Sequence, residues 1–249
     1  MVLTNYLFSM KSILTSAIIF LTVSLYGQKT IDFPSKDGLM MTADLYEAKE
    51  SDPFIILFHQ AGWSRGEYME IAPKLNKLGY NCFAVDQRSG GSVNDITNKT
   101  NTVAKTEGKQ TEFKDAYQDV ESAIAYVKKT YKPKKIIIWG SSYSSSLVLK
   151  YAGDYPDVVN GVLSFSPGEY FGEKNYITSS AANIKIPVFI TSAQNEKKSW
   201  SGIYNAITSE KKQFFLPKTK GNHGSRALWE RFSDNESYWK AVKGFLKTI

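Results

Sequence analysis

The sequence predicts an α/β sandwich, with a mostly parallel central sheet of about eight strands flanked by helices. Three observations predict it. Strand-like and helix-like patterns alternate through most of the chain. The strand-like runs "PFIILF", "NCFAV" and "KKIIIW" are almost continuously apolar, which suits strands buried on both faces rather than a sheet with one wet side. The 249 residues, 42 % of them hydrophobic, suffice to bury one large core without covalent staples.

Taken in order, the first segment stands apart. Met10-Lys11 leads into an uncharged apolar run from Ser12 to Tyr26. A membrane-spanning helix wants about 20 such residues, so the run is short for a span. Basic, apolar and small-residue regions in that order read as an export leader over residues 1–27, cut after Gly27, with Met10 as an alternative start. The competing readings are an uncleaved anchor and a buried helix. A leader implies a secreted or periplasmic protein with no stable membrane association once it is removed, and a folded domain over 28–249. No cysteine lies near the leader's end, which argues against a lipid anchor.

"KTIDFPSKDGLMMTADLYEA" reads as two strands joined by the Lys36-Asp37-Gly38 turn. "PFIILF" is the next strand. "SRGEYMEIAPKLNKLGY" reads as a helix with Met69, Ala72, Leu75 and Leu78 on its buried face and Gly79 as its stop. After the strand "NCFAV" comes a polar stretch, residues 88–111, long for a loop and therefore a candidate functional segment. "EFKDAYQDVESAIAYVKKTY" places Phe113, Ala116, Val120, Ile124 and Val127 on one helical face. The strand "KKIIIWG", the helix "SSLVLKYAGDYP", the strands "VNGVLSF" and "IPVFITSA", the short helix "WSGIYNAITS", the strand "KQFFLP" and a closing helix bearing Trp239, Val242, Phe245 and Leu246 complete the chain.

The net charge is 31 − 24 = +7. The lysines are scattered rather than striped, and no nucleic-acid module is present, so nucleic acid is not an expected partner. The single cysteine, Cys82, lies in an apolar strand and reads as an inert core thiol. No cofactor or metal is implied.

The chemistry concentrates in "IIIWGSSYSSS". A strand driven into a helix through a tight turn can hold one side chain exposed, provided the residues two before and two after it are small. Ser141 fails, because Trp139 lies two before it. Ser144 passes the size test but starts the turn too far from the strand end. Ser142, between Gly140 and Ser144, fits best. The plainer reading is a serine-rich helix cap. A serine nucleophile needs a base, and the chain has only two histidines, His59 and His223.

Gly140-Ser141-Ser142-Tyr143-Ser144 resembles the nucleophile elbow of the α/β-hydrolase superfamily, with Ser144 in place of its second glycine. From about Pro53 onward the chain is similar to that superfamily, nearest its dienelactone-hydrolase-like and serine-aminopeptidase-like branches. The resemblance implies an α/β-hydrolase fold with little or no lid domain, since residues 168–185 allow only a short cap. It implies Ser142 as nucleophile and His223, in "TKGNHGSRALW", as base. The acid is Glu196, after the strand "IPVFITSA", or alternatively Glu169 after "SFSP". In "LFHQAGW" the resemblance makes His59 structural and assigns the oxyanion N–H groups to Tyr143 and to Ala61, or less favourably Gln60. Asp86 and Arg88 in "VDQRSGGS" would organise a loop.

The expected function is a secreted serine hydrolase that cleaves a small-molecule carboxylic ester through an acyl-enzyme. The alternatives are a peptidase or amidase with the same triad and a binding protein that kept the fold without catalysis. Trp63, Tyr170, Phe171 and Trp200 are candidates to wall a substrate pocket, or else core residues of their loops.

Overall fold

The computed structural model describes residues 28–48 and 52–249; the expected leader lies outside the described residues. The chain runs β1 (Gln28–Pro34), β2 (Met40–Tyr46), β3 (Phe54–Phe58), α1 (Ile71–Asn76), β4 (Asn81–Val85), a two-residue hairpin β5 (Ser92–Val93) and β6 (Ile96–Thr97), and α2 (Lys99–Thr106). It continues through α3 (Tyr117–Tyr131), β7 (Ile136–Ser141), α4 (Tyr143–Asp154), β8 (Gly161–Phe165), α5 (Tyr176–Ala181), β9 (Val188–Thr191), α6 (Lys197–Ala206), β10 (Lys212–Phe215) and α7 (Asn235–Leu246).

Eight strands form one sheet in the order β1-β2-β4-β3-β7-β8-β9-β10. β1 pairs antiparallel with β2, and β2 with β4; every other pairing is parallel. The residues of β3, β4, β7 and β8 are all buried, as continuous apolar runs require when helices cover both faces. Alternate residues serve opposite cores. Ile56, Phe58 and Ile138 pack with α3, α4, α5 and α6, whereas Ile55, Leu57, Ile137 and Trp139 pack with α1 and α7. Trp139 lies parallel to Phe165 on the next strand, with ring centres 4.7 Å apart, so its bulk is absorbed within the second core.

Register decides where chemistry can sit. Phe58 lies opposite both Val85 and Gly140, Ser141 opposite Phe165, and Phe165 opposite Thr191. The carboxyl ends of β3, β7, β8 and β9 therefore finish in one row, and the loops that follow them converge on one edge of the sheet. In open parallel sheets that edge is where ligands bind.

Two expectations change. Of the expected face of the first helix, only Ala72 and Leu75 are buried; Met69 and Leu78 are 42 % and 41 % exposed. A turn of 3-10 helix over Arg65–Tyr68 precedes the six-residue α1. Met69 follows that turn and Leu78 lies beyond the end of α1 at Asn76, so neither shares the helical face of Ala72 and Leu75, and Tyr68 and Ile71 take the inward places instead. The polar stretch is ordered rather than loose: it folds into the β5–β6 hairpin and α2, with Asn98 capping α2 by accepting from the Asn101 N–H.

Asp86 and Arg88 pin this loop. Arg65 Nη1 donates to Asp86 at 2.6 Å, and Arg88 donates to Asp119 and Asp37 at 2.8–3.0 Å. Arg65 Nε also lies 2.9 Å from Asp44, off the line of its N–H, as an ion pair without a hydrogen bond. Removing one partner of such a buried pair costs about 3–5 kcal/mol. Cys82 is fully buried, and burial pushes its thiol well above the usual range.

Candidate active site

The β7–α4 corner is made by local sterics. Ser142 has φ 57° and ψ −125°, a sparsely populated conformation for a residue with a side chain and one that stores about 1–3 kcal/mol. Gly140 makes it possible. A Cβ there would lie 2.4–2.5 Å from Ser144 O, Ser144 C and Ser145 Cα, all backbone atoms. Each neighbouring serine is held by a different partner. Ser141 Oγ donates to Glu67 at 2.6 Å. Ser144 Oγ lies 2.6 Å from both the His59 carbonyl and Gln87 Oε1, and its one proton serves one of them at a time. Ser145 Oγ donates to the Ser142 carbonyl, and Ser146 Oγ to the Gly168 carbonyl at 2.7 Å. Ser144 thus fills the second glycine position without a clash, because its hydroxyl has a bonded niche beside β3.

Ser142 Oγ lies 2.8 Å from His223 Nε2, and His223 Nδ1 lies 2.6 Å from Glu196 Oε1. Glu196 has only acceptors, so the Nδ1–H donates to it and Nε2 is left to accept the serine proton. The other Glu196 oxygen accepts from Ser166 Oγ at 2.7 Å and from the Ala193 N–H at 3.2 Å. Burial alone would push this carboxyl up; the bonds from His223, Ser166 and Ala193 outweigh it and hold Glu196 below its usual value. Ser166 also accepts from the Gly224 N–H at 2.9 Å, so one hydroxyl ties the acid to the histidine loop. Side chains of His223 and Glu196 keep 32 % and 23 % exposure, leaving the line open to solvent.

Glu169 is not part of this line. Its oxygens accept from the Ile177 and Thr178 N–H groups at 2.8 and 2.9 Å and from Thr178 Oγ1, so it satisfies the first turn of α5.

The loop after β3 is fixed by its histidine. His59 Nδ1–H donates to the Gln60 carbonyl at 2.9 Å, while Nε2 accepts from the Gln87 N–H and Asn98 Nδ2, each at 3.0 Å. Burial lowers its pKa to about 4, so it stays neutral and structural. The Gln60 N–H donates to Glu67 Oε2 at 2.8 Å and is therefore occupied. The Ala61 N–H has no partner among the described residues. The Tyr143 N–H opens α4 and has no carbonyl of its own helix to reach.

The four pocket candidates divide. Tyr170 is 37 % exposed; its hydroxyl donates to the Ser166 carbonyl at 2.8 Å and interacts with Ser142. Trp63 is half-buried and stacks on Trp229 at 5.3 Å. Phe171, 8 % exposed, packs on Tyr176 in the core. Trp200, 1 % exposed, donates to Ser192 beneath the acid's loop. The last two are core residues rather than walls: Phe171 packs against α5, and Trp200 lies on the buried face of α6 itself.

Sequence reasoning did not single out Ser141 for any role, nor Ser166, Ser225 or Glu67. Ser166 carried one faint signal: a serine directly after a buried strand at the sheet's carboxyl edge. Glu67 carried none. Among the described residues no group of three or more His, Cys, Asp or Glu side chains could hold a metal, and no helix is long and apolar enough to cross a membrane.

Comparison with known proteins agrees with this architecture. Residues 49–177 match the family model described as serine aminopeptidase, S33. A protein of Aquifex aeolicus (strain VF5), provisionally named a carboxymethylenebutenolidase, is 24 % identical over 169 residues, 65 % of this chain and 69 % of that one. Among solved structures, an esterase of Pyrococcus furiosus superposes with TM-score 0.70 at 19 % identity, covering 90 % of this chain and 93 % of that one. A dienelactone hydrolase of Anabaena variabilis superposes with TM-score 0.70 at 12 % identity, covering 89 % and 97 %.

Proposed function

Because the chain belongs to the serine aminopeptidase S33 family of α/β-hydrolase-fold enzymes, we propose that it is a serine hydrolase cleaving small-molecule carboxylic esters with Ser142, His223 and Glu196. One observation carries this reading: the unbroken line from Ser142 Oγ to His223 Nε2 at 2.8 Å and from Nδ1 to Glu196 at 2.6 Å. Such a line raises the nucleophilicity of a hydroxyl that is otherwise inert at neutral pH.

The steps follow from the donors and acceptors. Ser142 Oγ attacks the ester carbonyl carbon while its proton passes to His223 Nε2. Glu196 keeps the ring in the Nδ1–H tautomer and stabilises the imidazolium. The carbonyl oxygen, now negative, is taken by the Tyr143 and Ala61 N–H groups. Loss of one such donor commonly costs about 10²–10³ in rate. The tetrahedral adduct collapses, His223 gives its proton to the leaving alcohol, and an acyl-Ser142 ester remains. Water then repeats the sequence in reverse, losing its proton to His223 and releasing the acid. Tyr170 lies beside Ser142 and would meet the substrate.

The ester preference is supported by the carboxymethylenebutenolidase, esterase and dienelactone hydrolase names among its relatives and structural neighbours. The family's description supports a second reading, an aminopeptidase using the same line. Nitrophenyl esters of graded acyl length and aminoacyl anilides separate the two, with Ser142→Ala as control. Turnover of esters, abolished in the control, supports the proposal. Turnover of anilides alone favours the second reading. We further propose that residues 1–27 are a cleaved export leader, on the strength of the basic–apolar–small order alone. A mature amino terminus near Gln28 on protein recovered outside the cytoplasm tests it.

A further inference from the structure

Behind the Ser142–His223–Glu196 line lies a carboxylate that the mechanism does not use. Glu67 is fully buried, and among the described residues no lysine or arginine hydrogen-bonds to it. Its Oε2 accepts the Gln60 N–H at 2.8 Å, next to Ala61. Its Oε1 accepts Ser141 Oγ at 2.6 Å, next to Ser142. Ser141 Oγ in turn accepts the Ser225 N–H at 2.8 Å, two residues beyond His223. The approach is close: a Cβ on Gly224, whose φ is +72°, would lie 2.6 Å from Ser141 Oγ. One side chain therefore joins the oxyanion loop, the nucleophile corner and the histidine loop. These three segments are remote in sequence: the first two leave neighbouring strands whose ladder ends at Phe58–Gly140, and the histidine loop joins neither strand.

Burial without a cation is costly for a carboxylate. It pushes Glu67 up to about 7, against the bonds from Ser141 and Gln60 and the influence of His223. A hydrophobic side chain would fill the same space without that penalty, so the cost calls for a return elsewhere.

We propose that Glu67 is a positioning residue for the hydrolytic reaction, holding the Ala61 amide, Ser142 and His223 in mutual register through Gln60, Ser141 and Ser225. The inference rests on the function proposed above. Its effect falls on the transition state, because the groups it aligns meet charge only as the oxyanion and imidazolium form. A misplacement of about 1 Å at such groups can cost about a hundredfold in rate. Glu67→Gln keeps the Gln60 bond only by turning its amide nitrogen toward Ser141, whose hydroxyl can accept it but then has no acceptor for its own proton, so the path to Ser141 is altered. Ser141→Ala cuts the same path at its second link and removes only one oxygen from the core.

The test is a double-mutant cycle on the best ester substrate, with the number of active sites fixed by fluorophosphonate titration and folding followed by thermal melting. Glu67→Gln and Ser141→Ala are each expected to lower kcat per labelled site about tenfold to a hundredfold, with KM within about twofold of wild type. The double variant should be no slower than the slower single, since both break one path. Three results would overturn the inference: wild-type kcat in either variant, losses that multiply in the double, or lost activity that merely tracks a smaller fraction of labelled, folded protein. A wild-type enzyme that neither labels nor hydrolyses any ester or anilide would refute the proposed function itself, and this inference with it. That result differs from the other three in failing before any variant is compared.

Discussion

Replacing Glu196 by Gln exchanges one acceptor oxygen for an amide nitrogen, and the surroundings decide which way the amide turns. With its nitrogen toward His223, the ring is driven to the Nε2–H tautomer, which cannot accept the Ser142 proton. In serine proteases that outcome costs about 10⁴ in kcat. With its oxygen toward His223, the nitrogen faces Ser166 Oγ and the Ala193 N–H, where Glu196 now accepts at 2.7 and 3.2 Å. Ser166 can accept from the new amide, although it already accepts from the Gly224 N–H. The 3.2 Å Ala193 bond is the weaker loss, so this second orientation is preferred and the reactive tautomer survives. What disappears is the negative charge opposite the imidazolium, 2.6 Å from Nδ1. The expected loss is therefore short of the full tautomer penalty: about 10²–10³ in kcat, or about 3–4 kcal/mol of barrier. The assay is steady-state hydrolysis of the best nitrophenyl ester on the pH plateau, beside Glu169→Gln. The latter should keep its activity and lose about 0.5–2 kcal/mol of stability, as a helix start that loses its acceptor does. A Glu196→Gln enzyme within threefold of wild type, or an inactive and well-folded Glu169→Gln, refutes the assignment.

Ser142→Ala and His223→Ala should each remove at least about 10³ of the rate, and the double variant should be scarcely slower, because the two act as a unit; multiplicative losses in ester turnover would contradict that. Gly140→Ala puts a methyl 2.4 Å from the Ser144 carbonyl with only backbone to yield. It should cost about 1–3 kcal/mol or more in denaturant unfolding and abolish fluorophosphonate labelling; a stable, fully active variant would show that the corner is not sterically determined. His59 has a folded pKa near 4 against an ordinary 6.5, so the unfolded chain binds more protons between those values. Its contribution, about 3 kcal/mol, is present above pH 6.5 and lost as pH falls toward 4. Glu67, raised to about 7, acts with the opposite sign over much of that window, so the measurable quantity is the difference from a His59→Asn variant. The stability gap between wild type and variant should narrow by about 3 kcal/mol from pH 7 to pH 4; a constant gap would mean that His59 is not held neutral.

The sheet and the corner were legible because both are set by short-range rules. Apolar runs such as Phe54–Phe58 and Ile136–Trp139 leave little alternative to a strand covered on both faces. Gly140 and Ser144 around Ser142 state a steric requirement that reads directly from neighbouring residues. Two histidines in 249 residues made the choice of base a short one. The carboxylate that faces His223 was legible only as one of a pair, Glu196 or Glu169, since both follow strands at the same edge. What separates them is that one faces His223 and the other faces the start of α5, and no local pattern encodes that difference. Of the supporting network, only Ser166 left a faint trace in the sequence. Glu67, Ser166 and Ser225 reach the site by convergence of segments separated by 27 to 84 residues. The misjudged helix face has a smaller cause. The helix is shorter than its pattern, preceded by a 3-10 turn and ended at Asn76, which leaves Met69 and Leu78 outside it and turns Tyr68 and Ile71 inward.

Hydrolysis requires that the Ser142 hydroxyl be activated by the groups drawn up behind it. Treating the protein with a fluorophosphonate and mapping the adduct by peptide mass spectrometry asks this without knowledge of the substrate. One adduct per chain on Ser142, absent in Ser142→Ala and slowed by orders of magnitude in His223→Ala, is the predicted result. An unmodified Ser142 in the intact, folded protein, or labelling at the same rate when His223 is replaced, would contradict it.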